Sequence, residues 1–167
     1  MQAKLTERIL DETVAAVHKS RPDIAPEKLA RLRGLMLRAI PDSVVSGHEP
    51  LIEGLLLRDP DDRHVLAAAI KSGAQLIVTK DQDFTPEVLR PWNIEAKSPD
   101  DFILDLIDIS EKVVWSCVQQ IVNSRKQRPE TVEDVLTQLE RSGLVQSAAA
   151  LRRNWTLEPV DKASQAA

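Results

Sequence analysis

Five aspartates, Asp59, Asp61, Asp62, Asp81 and Asp83, fall in one stretch of the chain. Asp81 and Asp83 follow Gln75-Leu76-Ile77-Val78-Thr79, a continuous apolar run of strand length, expected to be buried on both faces. Asp59, Asp61 and Asp62 open a helix expected over 59–72, with Asp59 as N-cap, Pro60 at the first helical position and Gly73 as the closing glycine. In an open parallel α/β sheet, ligands bind beyond the carboxyl ends of the strands. A connection from a strand near 43–46 would return the acidic helix start to that rim. Converging carboxylates repel unless protons or cations neutralise them. An all-oxygen donor set suits Mg²⁺ or Mn²⁺, and such ions, singly or paired ~4 Å apart, activate water for phosphodiester hydrolysis. Each feature also has an ordinary explanation: acidic residues cap helices and complement the helix dipole, and Asp is a common turn residue. Only their order and spacing together point to a site.

The elements that must position these residues are legible from periodicity. Residues 4–18 place Leu5, Ile9, Leu10, Val14 and Val17 in one helical stripe, with Thr6 as a cap. Residues 26–39 form a second helix, with Pro26 in its first turn and Leu29, Leu32, Leu35 and Met36 inward. Ser43 to Gly47 is a short β-branched run, expected as a strand. Pro86–Leu89, 93–96 and 99–106 continue as helix, strand and helix. The alternation from 43 to about 106 points to a largely parallel α/β sheet. Beyond it, 110–123, 131–142 and 144–153 read as three amphipathic helices, with residues 125–129 as a hinge.

Composition narrows the class. Aromatic residues are only 3 % and Tyr is absent, so the core must be aliphatic. The single Cys117 excludes an intramolecular disulfide and a Cys-rich zinc site, and its apolar surroundings suggest a buried thiol. No apolar run reaches the ~20 residues that span a bilayer, and the charged N-terminus lacks the centre of a signal peptide. A cytoplasmic protein without membrane contact is expected. The net charge of −4 means that any contact with nucleic-acid phosphates needs a local basic rim, such as Arg63, Lys71, Lys80 and Lys97, or a bound cation. His64, one turn into the acidic helix, could neighbour the site but reads more readily as a surface histidine; His18 and His48 have no partners at metal-ligand spacing. Trp115 and Trp155 read as packing or interface residues of the helical tail, not as base-stacking platforms.

The string DPDDRHVLAAAIKSGAQLIVTKDQDF, Asp59 to Phe84, resembles the second half of PIN domains: an Asp, two residues, an apolar-Leu-Ala helix, Gly-Ala, an apolar strand and Thr-x-Asp-x-Asp-Phe. Ile94-Glu95-Ala96 and Ser98-Pro99-Asp100-Asp101-Phe102 resemble the end of VapC-like PIN domains of toxin–antitoxin systems. The resemblance covers roughly residues 4–106 and implies a three-layer α/β/α fold over 1–108, followed by a helical extension over 109–155 and a disordered tail over 156–167. It implies metal ligation by Asp62, Asp81 and Asp83, and by an early-helix glutamate best matched by Glu12, with Glu7 as the alternative register. Asp62 and Asp81 would be the catalytic pair. The implied activity is Mg²⁺- or Mn²⁺-dependent cleavage of RNA, with an antitoxin protein as partner and a homo-oligomer as a further expectation. PIN domains open with a strand ending in Asp, whereas this chain begins in what should be the second or third helix, so that strand and its ligand are expected to be missing. The competing reading is therefore a catalytically inactive PIN-fold module acting through a protein partner. A phosphotransfer receiver domain fits less well, because no lone phosphoacceptor Asp is followed by a Lys at a strand end.

Overall fold

The computed structural model describes residues 2–124 and 130–155. The expected hinge at 125–129, the expected tail at 156–167 and the side chain of Trp155 lie outside the described residues. The chain divides into two compact units: residues 1–77 with 81–96, and residues 78–80 with 97–167.

In the first unit, helix α1 (Glu7–Ser20) starts where Thr6 accepts the Ile9 N–H on its hydroxyl. Helix α2 (Pro26–Ala39) begins on Pro26, whose missing N–H is no loss in a first turn. Leu10 and Leu29 are buried, but Leu35 is exposed, contrary to expectation, because α2 presents only a narrow stripe inward. The expected strand at 43–47 is reduced to a single parallel bridge between Leu5 and Val44, sealed by Leu5 N–H to Ser43 O and Val45 N–H to Leu5 O. A four-residue helix, α3 (Glu49–Ile52), follows.

The acidic stretch begins as one 3₁₀ turn, Pro60–Asp62, before α4 (Arg63–Ser72). Gly73 ends α4 with φ 64°, a left-handed conformation that costs glycine nothing. Strand β1 (Leu76–Val78), helix α5 (Pro86–Leu89), a 3₁₀ turn (Arg90–Trp92) and strand β2 (Glu95–Lys97) complete the alternation. Hydrogen bonds from Glu95 N to Gln75 O and from Thr79 N to Lys97 O set β1 and β2 parallel. Ile77 is buried but Val78 is 43 % exposed, so β1 is covered on one face only, not on both as its apolar run suggested. Around Ile77 pack Leu55, Leu57, Leu66, Ala67, Phe84 and Ile94. This apolar cluster fixes the start of α4 and the end of β1, the two places from which the aspartates project. The architecture is a PIN-like α/β fold with a small parallel sheet and C-terminal helices.

In the second unit, the helices expected at 99–106 and 110–123 are the two arms of α6 (Pro99–Ser124), which breaks at Ser110, where the backbone is non-helical (φ −161°, ψ 89°). Helices α7 (Val132–Arg141) and α8 (Val145–Trp155) complete it. Ile107, Val118, Val135, Leu136 and Leu151 form its core, against which Trp115 packs. Cys117 is exposed, not buried: one position before Val118 on the helix, it is turned about 100° away from the core-facing stripe. Thr131 and Asp134 form a reciprocal capping box at the start of α7. Gly143, at φ 91°, makes the sharp turn into α8.

The first turn of α8 is capped from a distance. Asp100, in the first turn of α6 and only 8 % exposed, accepts the N–H groups of Gln146 and Ser147, each at 2.9 Å, and the Ser147 hydroxyl at 2.6 Å. Burial works to raise its pKa, but these hydrogen bonds outweigh it and hold the carboxyl below its ordinary value. No helix among the described residues is long and apolar enough to cross a membrane.

Candidate metal centre

The Asp59–Asp62 turn is organised by its own side chains. Asp59 Oδ1 accepts the Asp61 N–H at 2.8 Å, which caps the 3₁₀ turn. Across the corner, Asp81 Oδ1 accepts the Asp83 N–H at 2.8 Å, an Asx turn that bends the chain sharply after β1. Asp83 then reaches back: its Oδ2 accepts the Asp59 N–H at 2.9 Å. That bond clasps the strand end to the helix start, and the two acidic segments meet.

Asp62 and Asp81 share a hydrogen bond. Two carboxylates can do so only if one carries a proton. The Asp62 pKa is correspondingly pushed up to about 6, first by burial, then by the bond to Asp81 and the charges of Asp81, Asp59 and Asp83. Below that value a proton can bridge the two groups; above it both are charged, and a hard cation would neutralise them. Mg²⁺ commonly takes one or two carboxylates and keeps several waters, and this donor set fits that requirement. Among the described residues, no three His, Cys, Asp or Glu side chains gather to form a fuller cage.

The other two expected ligands are otherwise engaged. Asp83 is almost fully buried, with Oδ2 on the Asp59 N–H and Oδ1 2.5 Å from the exposed guanidinium of Arg58. Glu12 has one oxygen 2.8 Å from Arg8 Nε and the other 3.3 Å from His64 Nε2. Glu7, the alternative register, pairs with Arg33. The structure thus brings Asp62 and Asp81 into contact, gives Asp83 a tethering role beside them, and holds Glu12 against Arg8 and His64.

His64 is not a surface residue: it is 1 % exposed. Burial lowers its pKa below the ordinary imidazole value, against the opposing pull of Glu12. The signal was present in the sequence, because His64 stands three and four residues before the buried Ala67 and Ala68 on the inner face of α4. Arg8 stands four residues before Glu12, a spacing that is readable on a helix, whereas Arg58 carried no such signal, because Asp83 lies far along the chain. Of the cations expected at a positive rim, Lys80 donates to Ser142 O at 3.1 Å and Lys97 pairs with Asp105 in the second unit.

Comparison with known proteins bears on both units. Residues 1–83 match the family model described as PIN domain, and residues 99–153 match the one described as VapC50 C-terminal domain. The helical tail, unexplained by the resemblance, thereby acquires a relative of its own. A Mycobacterium tuberculosis protein described as "Putative ribonuclease VapC50" is 38 % identical over 93 residues, covering 55 % of this chain and 54 % of the relative. The chain thus spans about half the length of that curated relative. No solved structure gives a significant match. With an acidic corner built from the matched segment and a helical unit matched in its own right, the chain belongs to the PIN-domain family and is VapC-like.

Proposed function

We propose that the protein is a divalent-metal-dependent endoribonuclease of the toxin type, with Asp62 and Asp81 as its catalytic metal ligands. The observation that carries this reading is the carboxylate pair itself: partial burial and the facing Asp81 raise Asp62 to about 6. A structural role does not require two acids to face each other, whereas a cation site does. Mg²⁺ or Mn²⁺ bound there supplies charge neutralisation and water activation for phosphodiester hydrolysis. Asp62 and Asp81 hold the cation, Asp83 keeps the two acidic segments clasped, and Glu12 assists from α1. The relative's description as a ribonuclease supports RNA as the substrate. On the same reading the protein works in the cytoplasm, as a homo-oligomer and with an antitoxin protein as its partner.

The test is cleavage of RNA by the full chain with Mg²⁺ or Mn²⁺, with a chelator, and with Asp81→Ala. Losing even an orienting partner of a metal ligand costs 10–100-fold, so Asp81→Ala is expected to cost at least about 100-fold. Equal activity in the two chains would reject Asp81 as a ligand. A folded chain without cleavage would favour a non-catalytic PIN module.

A further inference from the structure

A histidine at the inner end of α4 is costly. The position is as buried as the neighbouring Leu66 and Ala67, and an apolar side chain would pack there without losing hydration. Nδ1 of His64 finds no hydrogen-bond partner among the described residues. What the imidazole does meet is Glu12, whose Oε2 lies 3.3 Å from Nε2. The other oxygen of Glu12 takes Arg8 Nε at 2.8 Å, and the same guanidinium donates to the backbone carbonyl of Asp61 at 3.1 Å. Each oxygen of Glu12 therefore has one partner, one from α4 and one from α1. Arg8 also links that arrangement to the turn carrying Asp62.

We propose that His64 is a positioning residue, which presents Nε2–H to Glu12 and, with Arg8 on the other oxygen, fixes that carboxylate beside the Asp62 turn, where its charge adds to the field that draws a cation to Asp62 and Asp81. The proposal rests on the metal reading of the Asp62–Asp81 pair. The geometry explains the retained imidazole. A carboxylate on an exposed helix face samples many rotamers, and holding it at two points removes that freedom before a cation arrives. Arg8 alone would fix one oxygen and leave the other to rotate. His64 holds the second oxygen from a ring that burial keeps in place.

Two measurements on the full chain decide the matter. Without metal, the ¹⁵N shifts of the His64 imidazole should report the Nε2-protonated tautomer and should move in Glu12→Gln. An Nδ1-protonated ring, with bare Nε2 facing Glu12, would overturn the clamp. With metal, Mn²⁺ binding is measured by calorimetry for the unsubstituted chain, His64→Leu, His64→Gln, Glu12→Gln and Glu12→Gln/His64→Leu. His64→Leu should bind about 10–100-fold more weakly, the usual cost of losing an orienting partner. His64→Gln, which places an amide nitrogen near the Nε2 position, should recover most of that loss. In the Glu12→Gln background, His64→Leu should cost nothing further. Unchanged Mn²⁺ binding in His64→Leu, or an equal additional loss in the double variant, would reject the positioning role and leave the metal site standing. No Mn²⁺ binding by the unsubstituted chain would overturn both. If His64→Leu does not fold, His64→Gln decides the same question: binding as weak as in Glu12→Gln rejects donation through Nε2.

Discussion

Two inward-turned aspartates, one in each unit, are treated in opposite ways. Asp100 receives two backbone N–H groups and a hydroxyl, and its pKa falls. Asp62 is partly buried among other carboxylates, and first the burial and then those neighbours raise its pKa to about 6. A carboxylate that serves the fold is surrounded by donors, because an unpaired buried charge is destabilising. A carboxylate that serves a cation is left with its charge uncompensated until the cation binds. On the proposed function, that contrast distinguishes an acid that serves the fold from one that serves a cation.

Asp100 is where the comparison breaks most visibly. Asp100→Ala strands two N–H groups at the start of α8 and the buried Ser147 hydroxyl. A lost cap costs about 0.5–2 kcal/mol and each unsatisfied buried group about 1–3. A loss of about 3 kcal/mol is expected in the second unit, read by chemical denaturation. Asp100→Asn keeps an acceptor and should lose less. Because the folded pKa lies below the ordinary 3.8, the stabilisation from Asp100 is present above that value and lost as the pH falls through the lower one. Asp100→Asn should therefore remove an acid-side dependence below about pH 4. A stability profile unchanged in acid would contradict the assignment.

Asp62 should show the reverse dependence. Its folded pKa is raised from 3.8 to about 6, so its favourable contribution is present below 3.8 and is lost as the pH rises through about 6. Asp62→Asn mimics the protonated form. It should match the unsubstituted chain at pH 4 and exceed it at pH 8 by about 1–2 kcal/mol, a figure discounted for the part of Asp62 that remains in water. The substitution should abolish nuclease activity while making the protein more stable. Excess Mg²⁺ should raise the melting temperature of the unsubstituted chain and not that of Asp62→Asn. Equal stability of the two chains across this pH range would remove the functional reading of the pair.

The two sites were not equally legible in the sequence. Asp62 and Asp81 could be found because their signals are local: one opens a helix, the other follows an apolar run, and chain topology brings such ends together. Helices α1, α2 and α4, Gly73 as a cap and the three tail helices followed from periodicity in the same way. The distal cap was invisible, because Asp100 and Ser147 are far apart in the chain and nothing local in Ser-Pro-Asp-Asp-Phe announces the helix it caps. The capping box of Thr131 and Asp134 was readable and was missed. Two errors share one cause. His64 was placed outside and Cys117 inside on the character of their immediate neighbours, whereas on a helix burial follows the face and not the neighbour. The strand at 43–47 failed for another reason: β-branched residues favour a strand only where a partner strand is available, and Val44 finds a single residue, Leu5.

Arg58 offers the smallest effect and the finest distinction. Its guanidinium is 2.5 Å from Asp83 Oδ1, yet the arginine side chain is 82 % exposed while the aspartate side chain is 4 % exposed. An exposed cation in an ion pair usually contributes no more than about 1 kcal/mol, and added salt weakens it. Arg58→Ala is therefore expected to cost less than about 1 kcal/mol, with the difference shrinking at high salt. Asp83→Ala should cost more, because it also removes the acceptor for the Asp59 N–H that clasps the two acidic segments. If Asp83 belongs with the structural acids, as its donors indicate, Asp83→Ala should weaken Mn²⁺ binding only as far as it loosens the corner, and Asp83→Asn should restore most of it. Mn²⁺ affinity lost as fully in Asp83→Asn as in Asp81→Asn would move Asp83 into the functional class and make it a third ligand.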